Sequence, residues 1–236
     1  MAREKIFRFK QFSLLNDRTA MKVGTDGVLL GAWCDVAGAK RVLDVGTGCG
    51  LIALMVAQRN ADAAIMAIDI DPDAVEEAKV NIANSPWSDR VEALVADLND
   101  YAAQEPFDLI VSNPPFFTES VMAPSRTRNI ARHSVTLTME QLIGKSKSML
   151  ADDGTLAIIS PVEQELYIRT CVVKTAMSIK RLSSVLPVEG ASPKRLMWEL
   201  AKHPAATVEE QITIKLADSS YSEQYINLTR DFYLRM

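Results

Sequence analysis

The segment Arg41-Val-Leu-Asp-Val-Gly-Thr-Gly-Cys-Gly50, followed by the unbroken apolar run Leu51–Ala57, constrains this chain more than any other stretch. A short apolar strand, a turn with glycine at every second position and a helix apolar nearly all round make the first unit of a doubly wound α/β fold. Glycine lets the backbone pass close to a ligand with no Cβ in the way. The spacing discriminates between ligands. A dinucleotide loop carries its third glycine three positions after the second, which here is Leu51, whereas the glycine stands at position 50. A pyrophosphate cradle, and with it an NAD-dependent enzyme, is therefore disfavoured.

Further strand-and-helix units follow in order. Ala63–Ile70 is a second apolar run that ends at Asp69, 19 positions after Gly50, about where doubly wound folds place the acid that accepts ribose hydroxyls. Asp71 reads as an N-cap with Pro72 at the first helical position, and Val75, Ala78 and Ile82 recur at helical spacing. Val91–Val95 is a third strand, closed by Ala96-Asp97; by itself Asp97 is a helix or turn cap, or a ligand acid. The fourth strand, Asp108–Ser112, is stopped by Pro114 and Pro115, which hold Asn113 extended and donate no ladder hydrogen bonds. In a doubly wound order this strand returns beside the first, so Asn113 meets the glycine loop although 63 positions separate it from Gly50. An amide oxygen at Asn113 and the Pro114 carbonyl accept from an NH2 group, and Phe116 offers a stacking face. The residues fit a clamp for a planar amino-bearing substrate, or a plain strand end followed by a Pro-Pro turn.

Residues 118–137 form a long polar segment with Arg126, Arg128, Arg132 and His133, readable as a basic lid over a phosphate-bearing substrate or as a plain flexible loop. Thr138 and Gln141 form a capping box for a helix to Leu150, with Gly154 as the turn residue after it and Thr155–Ile159 as a fifth strand. Ser160-Pro-Val-Glu163 reads as a second capping box. Ile179–Val188 and Leu196–Lys202 are expected as an antiparallel pair closing the sheet, joined by a turn region at 189–193, and residues 209–216 as one more edge strand. Across 222–234, Tyr225, Leu228 and Phe232 recur at helical spacing as core packing. At the other end, residues 6–12 alternate aromatic with basic or polar side chains, a half-exposed strand pattern. Lys22–Gly27 is a turn-rich entry to a helix-like run at Val28–Trp33.

Composition narrows the partners. The 236 residues are 48% apolar and 24% charged, which suits a globular domain, and no stretch approaches the length of a membrane span. The charged start Met-Ala-Arg-Glu-Lys is not expected to be a secretion signal. Cys34, Cys49 and Cys171 lack any Cys-x-x-Cys spacing and suggest reduced thiols in a cytosol; with His133 and His203 they assemble no metal site. The net charge of −4 argues against a general nucleic-acid binder. Residues 1–41 reverse the sign, with eight basic residues, among them Arg8, Lys10 and Lys22, against four acids. Basic groups interleaved with Phe neutralise phosphates and stack on unpaired bases, or they line a solvated strand face.

Taken together, Phe9-Lys-Gln-Phe12, Met21-Lys-Val-Gly-Thr-Asp-Gly-Val-Leu-Leu-Gly-Ala-Trp33, the Gly46–Gly50 loop, Ser85-Pro-Trp87, Asn113-Pro-Pro-Phe116 and Phe232-Tyr-Leu resemble the bacterial tRNA-Val adenine-37 N6-methyltransferases over nearly the whole chain. The resemblance implies a Rossmann-like class I methyltransferase with a seven-stranded, mostly parallel sheet, one antiparallel strand and helices on both faces. It implies a single domain over 1–236, with an N-terminal basic and aromatic extension at 1–40 and a catalytic core from 41. It implies S-adenosylmethionine as donor and a single-stranded anticodon-loop adenine of tRNA as acceptor, in a cytoplasmic enzyme expected to be a monomer. The aromatic after Pro115 is Phe where the family has Tyr, and either ring stacks. Asn113, Pro114 and Phe116 would then hold the flipped-out adenine. Asp69 would take the cofactor ribose and Asp97 its adenine, with Gly46, Gly48, Gly50, Asp44 and Thr25 around the methionine portion. Arg8, Lys10, Lys22, Arg126, Arg128 and Arg132 would meet the tRNA. A protein glutamine N5-methyltransferase would use the same clamp without a basic lid, and a non-catalytic tRNA-binding module would keep the fold without its chemistry.

Overall fold

The computed structural model describes residues 6–19, 22–115, 137–204 and 206–235. In chain order these form β1 (Ile6–Arg8), β2 (Ser13–Leu15), α1 (Thr25–Trp33), β3 (Arg41–Val45), α2 (Leu51–Arg59), β4 (Ala64–Asp69), α3 (Pro72–Ala83), β5 (Val91–Val95) and β6 (Phe107–Ser112). Then come α4 (Met139–Met149), β7 (Leu150–Pro161), a 3-10 turn at Val162–Gln164, α5 (Glu165–Lys174), β8 (Ser178–Val188), β9 (Arg195–Ala201), β10 (Val208–Lys215) and α6 (Glu223–Thr229).

Eight strands make one sheet in the order β10-β8-β9-β7-β6-β3-β4-β5. Pairing is antiparallel only along β9, which runs against β7 on one side and β8 on the other. The seven expected strands are therefore present with their single reversed member, and the expected edge strand, β10, adds an eighth by pairing parallel to β8. β3 sits between β4 and β6, so successive units wind away from it in both directions. Its residues Val42–Val45 are all buried, as a central parallel strand covered on both faces requires.

Helix α1 packs on α2 through two glycines one turn apart. A Cβ at Gly27 would lie 2.9 Å from Leu51 Cδ2, and one at Gly31 would lie 2.8 Å from Met55 Sδ, so any side chain there pushes the helices apart. The pairing of Gly27/Gly31 with Leu51/Met55 brings the start of α1 against the start of α2, at the glycine loop.

Local signals hold where the partners are local. Asp71 caps α3, accepting from the Asp73 amide, with Pro72 at its first turn. Thr138 and Gln141 close the expected capping box on α4. Three expectations are corrected. The strand of residues 6–12 ends at Arg8, and the chain doubles back into the two-stranded β1–β2 hairpin with Phe9 and Phe12 both buried. Gly154 is no turn residue: it lies within β7, at a register shift against β6, where a Cβ would come within 2.8 Å of the Phe107 carbonyl oxygen. Ser160 is no cap, because β7 continues through Pro161 and the buried Ser160 hydroxyl accepts from Trp198 Nε1 at 3.0 Å. Among the described residues no helix is long and apolar enough to cross a membrane.

Candidate active site

The site is set by register. Val45 and Ser112 are direct partners at the carboxyl ends of β3 and β6, so the next residues, Gly46 and Asn113, leave the sheet side by side. The buried Ser112 hydroxyl donates to the Val45 carbonyl at 2.8 Å and locks the two strand ends together. Gly46, Gly48 and Gly50 all adopt positive φ, of 70°, 56° and 85°, which only glycine takes without strain, and a Cβ at Gly46 would meet nothing within 4 Å. Space is open beside the loop. On the other strand Asn113 is half-buried, Pro114 buried and Pro115 exposed. The start of α1 closes the third side: a Cβ at Gly27 would stand 3.9 Å from Asn113 Nδ2, and Thr25, two residues earlier, is exposed at the helix N-terminus.

Three carboxylates line the neighbouring strand ends. Asp44 in β3 is fully buried; its Oδ2 accepts from Thr47 Oγ1 at 2.6 Å and the Ala53 amide at 3.1 Å, while Oδ1 has no hydrogen-bond partner among the described residues. Burial pushes its carboxyl up to about 7 against those two donors, with the Asp69 charge adding to the rise. Asp69 at the end of β4 accepts from the Gly48 amide at 2.9 Å and the Asp71 amide at 3.0 Å, and burial outweighs these bonds, so its carboxyl lies above the usual range. Asp97, beyond β5, spends Oδ1 in a local turn with the backbone and side-chain amides of Asn99, at 2.8 and 3.0 Å.

Two further residues were not visible in the sequence. Helix α3 buries Glu77 and Asn81, one turn apart inside its apolar face. The Glu77 carboxylate accepts from three consecutive amides, Asp17, Arg18 and Thr19, at 2.6, 2.9 and 3.1 Å. Burial opposes its charge, yet the amides of Arg18, Asp17 and Thr19 prevail and hold the carboxyl below its ordinary range. Asn81 donates to both the Leu15 and Cys49 carbonyls and accepts from the Leu15 amide, tying the same segment to the glycine loop. Thr19 thereby reaches Gly48, whose added Cβ would be 4.0 Å from Thr19 Cγ2. Polar residues at i and i+4 within the stripe of Val75, Ala78 and Ile82 were the available signal.

The basic residues divide. Lys10 Nζ donates to the Arg230 carbonyl at 2.5 Å, and Lys22 Nζ to the Asp17 and Thr19 carbonyls at 3.0 and 2.9 Å, so both fasten backbone. Arg8 is exposed on β1. Phe116, Arg126, Arg128, Arg132 and His133, with the expected lid, lie outside the described residues. Among those described, no group of three or more His, Cys, Asp or Glu is placed to hold a metal ion.

Residues 23–175 match the methyltransferase small domain family. This chain belongs to it. Within that family's wider relatives, the tRNA1(Val) (adenine(37)-N6)-methyltransferase of Phocaeicola vulgatus is 44% identical over 230 residues, covering 98% of each chain. The enzyme of the same name from Bacteroides thetaiotaomicron is 42% identical over 231 residues with the same coverage. Among solved structures, a protein of Agrobacterium tumefaciens described as a predicted O-methyltransferase superposes with a TM-score of 0.70 at 18% identity, over 88% of this chain and 96% of its own. That likeness carries the methyltransferase fold.

Proposed function

We infer that the protein transfers a methyl group from S-adenosylmethionine to the exocyclic N6 of an adenine in tRNA, the adenine at position 37 beside the anticodon of tRNA-Val. The observation that carries this reading is the Val45–Ser112 register, which sets an open glycine loop and an Asn-Pro-Pro strand end next to each other.

The residues present fit the donor. The bare positive-φ glycines leave room for a ligand's chain, and the buried Asp44 Oδ1, without a partner among the described residues, would accept from a cationic group of the donor. Asp69 retains acceptor capacity for ribose hydroxyls, since each carboxylate oxygen takes two bonds and each is given one by backbone. Asp97, one strand further on, would take the adenine, and Thr25 at the first turn of α1 would hold the methionine carboxylate. S-adenosylmethionine, when bound, supplies an electrophilic methyl group on a sulfonium.

On the acceptor side, the Asn113 side-chain oxygen and the Pro114 carbonyl accept the two N6 hydrogens. Those bonds draw the nitrogen lone pair out of ring conjugation and aim it, and Phe116 stacks on the base. A strong general base is not needed, because the nitrogen turns acidic once methylated and its proton then leaves readily. Positioning carries most of the rate. The test is bulk tRNA from a strain lacking the enzyme, incubated with purified protein and labelled donor and digested for nucleoside mass spectrometry. Label in N6-methyladenosine from the tRNA-Val anticodon loop is expected; a protein that labels no tRNA overturns the reading.

A further inference from the structure

A cavity of about 340 Å³ opens between the N-terminal hairpin, the start of α1 and the C-terminal helix, outside the glycine loop and the Asn113 site. Four aromatic rings line it, from Phe7, Tyr221, Tyr225 and Tyr233, together with Arg235 and Thr25. Tyr225 is its buried floor, whereas Phe7 and Tyr221 stand 36% and 45% exposed at the mouth. Tyr221 packs on Tyr225 with centroids 5.3 Å apart, and Phe7 meets Tyr233 edge-on at 6.5 Å. The floor is fixed: Tyr225 and Tyr233 share a hydrogen bond, and Phe9 bridges to Tyr233 through backbone. Both mouth residues keep a large exposed area, which an aromatic cluster built for stability alone would cover.

Its place relates it to the reaction. β10 runs parallel to the central strands' direction, and Lys215 at its carboxyl end bridges to Tyr221, so the cavity opens on the same edge of the sheet as Asn113. Thr25 borders the cavity, and Gly27, two residues on, borders Asn113. Two residues of α1, little more than half a turn, therefore separate the two. Among the described residues the lining carries an arginine and no carboxylate, Lys215 Nζ lies 5.8 Å from the Tyr221 ring, and exposed Arg8 follows Phe7 on β1. In a chain with a net charge of −4 this is a local cationic, aromatic surface. π-faces flanked by cations suit an unpaired nucleotide: the base stacks and the phosphate meets Arg or Lys.

We propose that this cavity is a second nucleobase site, which takes an unpaired nucleotide of the tRNA substrate other than the methylated adenine by stacking it on Tyr221 and Phe7, with Arg235 and Lys215 toward its phosphate. The proposal rests on the tRNA-methylating reading above. It makes the N-terminal hairpin and the C-terminal helix a holdfast for the anticodon loop beside the Asn113 site.

The test uses the full chain and substrate tRNA. Tyr221→Ala and Phe7→Ala each remove a mouth ring, with its contact to Tyr225 or Tyr233, and leave the floor residues themselves in place; Tyr221→Phe keeps the ring. Either alanine variant is expected to raise KM for tRNA about five-fold or more, with donor affinity and turnover at saturating tRNA unchanged, and Tyr221→Phe is expected to behave as wild type. With 2-aminopurine placed in turn at each unpaired loop position, wild type should quench one position other than the target, and Tyr221→Ala should not. An unchanged KM for tRNA in both alanine variants overturns the proposal. So does an equal loss of donor affinity, or a Tyr221→Phe variant as impaired as Tyr221→Ala. Wild type that methylates no tRNA refutes the functional reading instead, and the two failures are told apart by the wild-type control.

Discussion

The two sides of the cleft are built by different means. On the donor side, under β3, β4 and α3, position is set by carboxylates that accept from backbone amides: Asp44 from Ala53, Asp69 from Gly48 and Asp71, and Glu77 from Asp17, Arg18 and Thr19. On the acceptor side, Asn113 is placed by covalent restriction, with Pro114 and Pro115 removing backbone freedom and Ser112 pinned to Val45. Hydrogen-bonded carboxylates can be titrated; prolines cannot. The donor half should therefore respond to pH and to charge-removing substitutions through affinity, and the acceptor half should respond through turnover.

Asn113→Ala tests that division most severely. It removes the side-chain acceptor from the reacting nitrogen and leaves the glycine loop intact, so turnover should fall by about 10²–10³ or more, while donor affinity by calorimetry stays within about two-fold. A comparable loss of donor binding would erase the distinction between the halves. Asp69→Ala is the mirror experiment. Bonds to a charged acceptor contribute about 1.5–3 kcal/mol each, so donor affinity should weaken about 10- to 100-fold, with turnover at saturating donor much less affected.

What was legible in the sequence follows the same line. Asp71 and the Thr138/Gln141 box depend on partners within a few residues, so spacing alone revealed them. The strands were legible as apolar runs bounded by turn residues, although no helix lies between β5 and β6 or between β8 and β9. Glu77 and Asn81 were missed because their partners lie some 60 positions earlier and no local pattern marks a buried carboxylate. Ser160 failed for the converse reason: its sequence fits a cap, but Trp198 claims its hydroxyl across the sheet. Lys10 and Lys22, expected at the tRNA, also donate to backbone carbonyls, a use that charge counting cannot detect.

Proton binding separates the halves at intermediate magnitude. Burial raises Asp44 to about 7, so its carboxyl is neutral below that pH and anionic above it. An anion facing a cationic donor binds it better, and donor affinity should therefore rise with pH, by about ten-fold between pH 6 and pH 8. Asp44→Asn should flatten the profile. Stability runs the other way: the folded state holds this proton more tightly than the unfolded chain, so as pH climbs from 3.8 toward about 7 the group subtracts from stability. A flat donor affinity in wild type would mean that Asp44 faces no cation.

The smallest effect is expected at Glu77→Gln, and it is the most discriminating for how the donor side is held. The amide keeps one acceptor oxygen but loses the charge that three amides share, so the segment at 15–19 should loosen from α3 without unfolding. Because Thr19 sits at Gly48, that loosening should raise KM for the donor a few-fold and leave turnover at saturating donor alone. Melting temperature should drop by about 2–4 °C for each kcal/mol lost. The sign with pH is fixed by the lowered carboxyl. Its contribution is complete above the ordinary glutamate value of 4.5 and fades as pH falls through the folded value, so wild type should lose its advantage over Glu77→Gln in acid. An advantage that persists undiminished in acid would mean that packing around α3, rather than its buried charge, holds the N-terminal segment against the glycine loop.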